Sequence, residues 1–123
     1  MRLDEINNHG EQAFFAAVAD ELGRLLGYPM KLVGVDTAEY SRTIRIEGRE
    51  GDQVFIFAIR HSWKNDGSPT KPVTRISIED PEGFSNGSIS LGRFAFWRDD
   101  PAGYAEDLSR VRGITEAIDE LLG

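Results

Sequence analysis

The segment QVFIFAIRH (residues 53–61) decides the fold class, because its side chains fit an extended strand that is apolar on both faces. In a strand, successive side chains point to opposite sides. One side therefore carries Phe55, Phe57 and Ile59, and the other carries Val54, Ile56 and Ala58. Apolar side chains on both faces indicate a central strand that is at least partly covered on each side.

Shorter alternating segments on either side of this strand predict the rest of a sheet. We predict strands over residues 30–35, 43–47, 73–78 and 88–97. A polar turn at residues 48–52 and loops at 62–72 and 81–87 separate them. Asn86-Gly87 is a favoured hairpin turn pair, and a change of alternation at Gly92 predicts a bulge. Short connections of this kind are typical of an antiparallel meander.

Two segments with helical periodicity flank the predicted sheet. In residues 8–26, apolar side chains recur every three or four positions: Phe14, Phe15, Val18, Leu22, Leu25 and Leu26. Asn8 and Glu11 suit a capping box at its start, and Gly27 suits its end. We predict a second helix from Pro101 to Leu122, capped by Asp100, with Gly113 on its polar side.

The predicted fold class is therefore α+β. We expect a four- to five-stranded, mainly antiparallel meander sheet, with the N- and C-terminal helices packed on one face. At 123 residues, one domain over residues 1–123 is the expected organisation.

Composition excludes several classes of function. There are 21 acidic and 14 basic residues, a formal net charge of −7, which disfavours binding to duplex nucleic acid. The absence of cysteine excludes a thiolate metal site or a cysteine nucleophile, and two histidines make a histidine zinc site a poor fit. We expect no cofactor, no metal and no membrane association. The first residues have no apolar signal core, so we expect a cytoplasmic protein.

The charge is divided unevenly along the chain. Residues 1–26 carry a balance of −3, residues 99–123 carry −5, and the middle carries +1. If the helices cover the Phe55 face of the sheet, the opposite face carries Arg45, Arg60, Arg75 and Arg93 among Val54, Ile56, Ala58 and Val73. Arginine among apolar side chains suits a protein interface. On the acidic C-terminal helix, Glu106, Glu116 and Glu120 are the candidate contacts for a basic partner.

Motifs for enzyme chemistry are weak. His61, Ser62 and Asp66 lie close in sequence, but a catalytic triad is defined by geometry rather than by adjacency. We interpret His61 as a structural residue at a strand end. The acidic run at residues 79–82 is predicted to end a strand, with weak binding of a divalent ion as the alternative.

Three functional hypotheses follow from these patterns. The favoured one is a non-enzymatic acidic protein-binding module of the inhibitor, immunity or antagonist type, acting on another protein that we expect to be basic. In size, acidity and helix–sheet–helix order the chain also resembles type III secretion chaperones, which would imply a homodimer. It departs from them at residues 62–72, where they place a helix. The third hypothesis is a small-ligand binder or enzyme with a site near His61, Arg60 and Arg75.

Overall fold

The computed structural model of the chain describes residues 8–38, 41–62, 73–83, 85–90 and 100–122. Its elements, in chain order, are α1 (Asn8–Leu26), β1 (Met30–Ala38), β2 (Ser41–Glu50), β3 (Gln53–Ser62), β4 (Val73–Glu79), β5 (Ser85–Ser90), α2 (Pro101–Ser109) and α3 (Ile114–Leu122). The sheet has the order β1-β2-β3-β4-β5, and each strand pairs antiparallel with the next. These findings confirm the predicted α+β class and the antiparallel meander.

Helix α1 covers the predicted residues and ends as predicted. Gly27 has a φ of 84°, a left-handed conformation that glycine adopts at little cost, and its N–H donates to the Gly23 carbonyl at 2.8 Å. Phe15, Val18 and Leu22 are fully buried on its inner side. Leu25, which the periodicity assigned to the same stripe, is instead 37% exposed.

The buried side chains form one cluster between the helices and one face of the sheet, which we call the core face. It contains Phe55, Phe57 and Ile59, the three side chains that alternation placed on one side of β3. The facing residues of β2 and β4 lie on the same side, and all seven side chains are at most 5% exposed: Ile44, Ile46, Phe55, Phe57, Ile59, Ile76 and Ile78. Helix α1 contacts β1, β2 and α2, whereas α3 contacts β3, β4 and β5. The prediction that both terminal helical segments pack on one face of the sheet is therefore confirmed.

The turn before β5 differs from the prediction. β4 ends at Glu79, as the acidic run predicts, and the chain turns at once. The Gly83 N–H donates to the Asp80 carbonyl at 2.9 Å, and the Glu82 N–H donates to the Asp80 carboxylate. Gly83, with a φ of 95°, supplies the left-handed residue that the turn requires. The predicted turn pair at residues 86–87 lies within β5 instead, because Asp80 and Gly83 have already reversed the chain.

The prediction of one continuous C-terminal helix is wrong. Asp100 caps α2 and Pro101 opens it, as expected, but α2 ends at Ser109 and α3 begins at Ile114. Gly113 has a φ of 93°, which a continuous helix excludes. A straight helix over these 22 residues would be about 33 Å long. The break lets α2 pack on α1 while α3 turns to pack on β3, β4 and β5.

Some predictions fall on parts of the chain that are not described. They are the loop residues 63–72, the strand residues 91–97 with the bulge at Gly92, and Arg93. The side chains of the predicted capping pair, Asn8 and Glu11, also lie outside the described part.

Candidate binding surface

The face of the sheet opposite the helices is the candidate surface, and we call it the outer face. Strand register places its residues in rows across the sheet. Its described members on the three central strands are Thr43, Arg45 and Glu47 on β2, Val54, Ile56, Ala58 and Arg60 on β3, and Arg75, Ser77 and Glu79 on β4. The predicted partition of β3 into two faces is therefore correct.

The apolar part of the outer face is smaller than the sequence suggests. Ala58 is only 4% exposed, because it lies between Arg45 on one neighbouring strand and Ser77 on the other. Val54 and Ile56 are half-buried. The long side chains of arginine, lysine and glutamate cover apolar surface with their aliphatic parts. The outer face is therefore an amphipathic surface and not a bare apolar patch.

An exposed apolar residue that sequence analysis missed lies on β1. Val33 is the extra residue of a bulge between Leu32 and Gly34, and it is 58% exposed. Gly34 pairs with Arg45, so the bulge lies beside the outer face. The bulge depends on how β1 pairs with β2, and the alternation of side chains in residues 30–35 does not indicate it. Gly34, a residue that often marks a bulge in a strand, was the available signal.

Most charges on and beside the outer face are paired. Arg45 forms an ion pair and a hydrogen bond with Asp36 of β1. The Glu47 carboxylate lies 3.2 Å from the Lys31 ammonium and 3.7 Å from the Arg49 guanidinium. Such exposed pairs contribute little to stability, but they determine which charges stay available to a partner.

Arg60 and Arg75 are the exception. They stand directly opposite each other on β3 and β4, and both side chains are exposed. Within the described parts of the chain, neither guanidinium has an ion pair or a hydrogen bond with a side chain. Like charges at directly opposite positions of an antiparallel pair are destabilising. The structure thus brings together two of the four predicted arginines, pairs Arg45 elsewhere, and leaves Arg93 outside its described part.

The acidic candidates do not share one helix. Glu106 lies on α2 and forms an ion pair with Arg110 one turn later. Glu116 and Glu120 lie on α3 and are exposed. The break at Gly113 separates the first from the other two, so the continuous acidic helix that the sequence predicts does not form.

His61 belongs to the core face and is fully buried. Its Nδ1 lies 2.8 Å from the Thr74 hydroxyl, and its Nε2 lies 2.7 Å from the Tyr104 hydroxyl. A neutral imidazole has one donor and one acceptor nitrogen, and a hydroxyl can serve either, so both contacts can be satisfied without charge. The interpretation of His61 as a structural residue agrees with this geometry.

Electrostatics favour the uncharged form of the same cluster. Burial, together with a smaller effect of the nearby positive charge of Arg42, lowers the pKa of His61 to about 3. Burial also raises the pKa of the Tyr104 phenol. Both groups are therefore neutral at pH 7 and act as a hydrogen-bonded link between β3, β4 and α2.

The structure does not bring the side chains of His61, Arg60 and Arg75 together on one face of the sheet. Arg60 and His61 are adjacent in β3, so their side chains point to opposite faces of the sheet. His61 contacts α2 on the core face, whereas Arg60 and Arg75 are on the outer face.

Among the residues that the structure describes, no group of three or more histidine and carboxylate side chains could hold a metal ion. Asp80, in the acidic run at residues 79–82, instead accepts a hydrogen bond from the backbone of Glu82. None of the described helices has the length and apolar character needed to cross a membrane.

Comparison with known proteins gives no family for the chain. No protein-family model matches it, and no similar protein was found among curated sequences or solved structures.

Proposed function

We propose that the protein is a non-enzymatic, cytoplasmic binding module that acts by holding a partner protein, as inhibitors, immunity proteins and antagonists do. The observation that supports this proposal is the outer face, where Arg60 and Arg75 are exposed side by side without a counter-ion among the described residues. The described helices all pack on the other side of the sheet.

The composition of the outer face suits contact with a protein. Arginine is enriched in interfaces because its planar guanidinium forms several hydrogen bonds and its stem packs on apolar atoms. Val54 and Ile56 lie on the same strand as Arg60 and are half-buried, so a docked surface would remove further apolar area from water.

The net charge of the whole protein and the charges at the binding surface have different roles in binding. The net charge of −7 would speed association with a basic partner, since the whole-molecule field steers diffusion. Exposed carboxylates such as Glu116 and Glu120 contribute to that field. The residues in direct contact determine how the two proteins are aligned and how long the complex lasts. A partner that is basic overall can therefore still place a local surface that is not basic on Arg60 and Arg75.

A non-enzymatic role is supported by the position of His61. It is the described side chain best suited to general acid–base chemistry near neutral pH, but both its nitrogens are occupied in the core.

The test is affinity capture from a lysate of the source cells. The baits are the wild-type protein, the Arg60→Glu/Arg75→Glu double variant, and an Arg24→Glu/Arg112→Glu control that carries the same net charge. Arg24 and Arg112 are exposed on the helical side of the chain and in the α2–α3 connection. Circular dichroism establishes that all three baits are folded.

We expect a protein that the wild type and the control retain and the outer-face variant loses. Equal retention by all three baits would show that the outer face is not the binding surface. Turnover of a small molecule by the wild-type protein that is lost in His61→Gln would contradict the non-enzymatic assignment.

A further inference from the structure

Arg60 and Arg75 form a positively charged pair that no described residue of the outer face compensates. The acidic residues on the outer side of the described strands β1 to β4 that lie nearest to this pair are Asp36, Glu47 and Glu79. Asp36 is held by Arg45, and Glu47 lies within ion-pair distance of Lys31 and Arg49. Glu79 accepts a hydrogen bond from Ser77 and lies four residues along β4 from Arg75, about 13 Å away.

The chemistry of the pair selects an anion. Residues directly opposite in an antiparallel ladder have Cα atoms about 4.5–5.5 Å apart. Both side chains therefore project from neighbouring positions on the same face of the sheet, and guanidinium donors match the geometry of a carboxylate. Thr43 is the next residue across the sheet in the same row and adds a hydroxyl beside them.

We infer that the partner protein docks an acidic, extended segment on the outer face, with its carboxylates on Arg60 and Arg75. This inference rests on the proposed function and names the chemistry of its partner. In an extended segment, carboxylates two residues apart lie about 6.7 Å from each other on one side of the chain, which suits two separate guanidiniums. A carboxylate there also removes the repulsion between the two arginines.

A second copy of this chain fits less well than an external partner. Glu116 and Glu120 on α3 have no ion pair among the described residues, but they lie on the helical side, whereas Arg60 and Arg75 lie on the outer face. Contacts between opposite sides of identical molecules are head-to-tail and extend into open chains unless the rotation closes a ring. Mutual repulsion at a net charge of −7 opposes such stacking further.

The inference is tested with a defined probe. The ¹⁵N-labelled full chain is titrated with an acetylated pentapeptide that has glutamate at its second and fourth positions, and with the same peptide carrying glutamine there. We expect the glutamate peptide to shift the Nε–Hε resonances of Arg60 and Arg75, and the glutamine peptide to bind at least about tenfold more weakly.

Two charge-matched variants establish where the peptide binds. Arg60→Gln/Arg75→Gln should lose about tenfold in affinity for the glutamate peptide, whereas Arg24→Gln/Arg112→Gln should stay within about twofold of the wild type. Equal affinity for the two peptides, or equal loss in the two variants, would overturn the inference. Tighter binding of inorganic phosphate or of a single-stranded oligonucleotide at the same resonances would also overturn it, in favour of a phosphate ligand.

The proposed function and this inference fail separately. If capture of a partner depends on Arg60 and Arg75 but the glutamate peptide does not bind, the proposed function is supported and the inference that the partner docks an acidic segment is wrong. If the peptide binds at the pair but capture of the partner is unaffected by Arg60→Glu/Arg75→Glu, the pair binds carboxylates, but both the proposed binding surface and its use by the partner are wrong. Sedimentation of the wild-type protein alone tests whether a second copy of the chain is the partner. A sedimentation coefficient that rises with protein concentration in the wild type, but not in Arg60→Gln/Arg75→Gln, would overturn the inference of an external partner.

Discussion

The two faces of the sheet come from the same strands but differ in how their polar groups are satisfied. On the core face, His61 and Thr74 are fully buried and hydrogen-bonded, with α2 supplying Tyr104 as the second partner of the imidazole. On the outer face, one step along β3, Arg60 is exposed beside Arg75 without a counter-ion among the described residues. Adjacent residues of one strand thus belong to chemically separate environments, and proximity in sequence is a poor guide to a shared site.

The largest expected effect compares the same substitution on the two faces. Ile59 is fully buried on the core face of β3, and Ile56 is half-buried on the outer face. We expect Ile59→Ala to lower the free energy of unfolding by about 2–5 kcal/mol, because it leaves a cavity. Ile56→Ala should cost about 1 kcal/mol or less, since solvent already reaches that side chain. Urea unfolding measures both, and similar losses would mean that the outer face is covered as completely as the core face.

A second prediction concerns acid sensitivity from the core face. Burial holds the pKa of His61 at about 3 in the folded chain, below about 6.5 for an unfolded histidine. Between these values the unfolded chain binds more protons, so stability is complete above pH 6.5 and is lost as the pH falls. From pH 7.5 to 5, His61 should account for a loss of about 2 kcal/mol.

The matched variant for this prediction is His61→Gln, which keeps one donor and one acceptor but does not titrate. Urea unfolding at both pH values should show a smaller loss of unfolding free energy for the variant than for the wild type. Contributions from His9 and the carboxylates cancel in this comparison, because both proteins contain them. An NMR titration of the wild-type ring gives an independent measurement. Protonation of His61 near pH 6.5 would contradict the buried, neutral assignment.

A third prediction compares two strand glycines. A Cβ on Gly48 would lie 2.3–2.8 Å from the Phe55 ring on the core face, whereas a Cβ on Gly34 in the β1 bulge would meet no atom within 4 Å. We expect Gly48→Ala to destabilise the fold by about 1–3 kcal/mol through overpacking. Gly34→Ala should be neutral or stabilising by a few tenths of a kcal/mol. Thermal unfolding measures both, and a neutral Gly48→Ala would mean that Phe55 can move away.

The smallest expected effect concerns the arginine pair itself. Arg75→Glu replaces a like-charge pair with an opposite-charge pair across β3 and β4, so we expect it to stabilise the fold by less than about 1 kcal/mol. Arg45→Glu should destabilise it by a similar amount, because Arg45 is paired with Asp36. Urea unfolding at low salt measures both changes. Destabilisation by Arg75→Glu would show that the two arginines are not in repulsion.

Much of the fold could be predicted because its signals are local. Alternation in residues 53–61 assigned each side chain of β3 to the correct face, and the periodicity of residues 8–26 gave both ends of α1. The continuous C-terminal helix was predicted wrongly because its break has no local signal. Gly113 on the polar side of an apolar stripe suits a continuous helix as well as a broken one, and the break follows from where α3 must pack.

The candidate surface could be predicted only as a set of residues on one side. The sequence placed Arg45, Arg60 and Arg75 on the outer face, which the structure supports. It could not indicate that Arg45 is paired with Asp36, and Gly34 signalled a bulge without showing that Val33 would be its exposed residue. Both depend on the register between strands, which involves residues far apart in the chain.

The sequence by itself therefore determined α1, the strands β1 to β4, the core face and the excess of negative charge on the helices. These follow from periodicities of two and 3.6 residues and from composition, which act over a few neighbouring positions. The tertiary structure alone decided that Arg60 stands opposite Arg75, and that His61 meets a tyrosine 43 residues away. Such contacts depend on strand register and helix packing, which are set by the burial of the whole core and not by any local pattern.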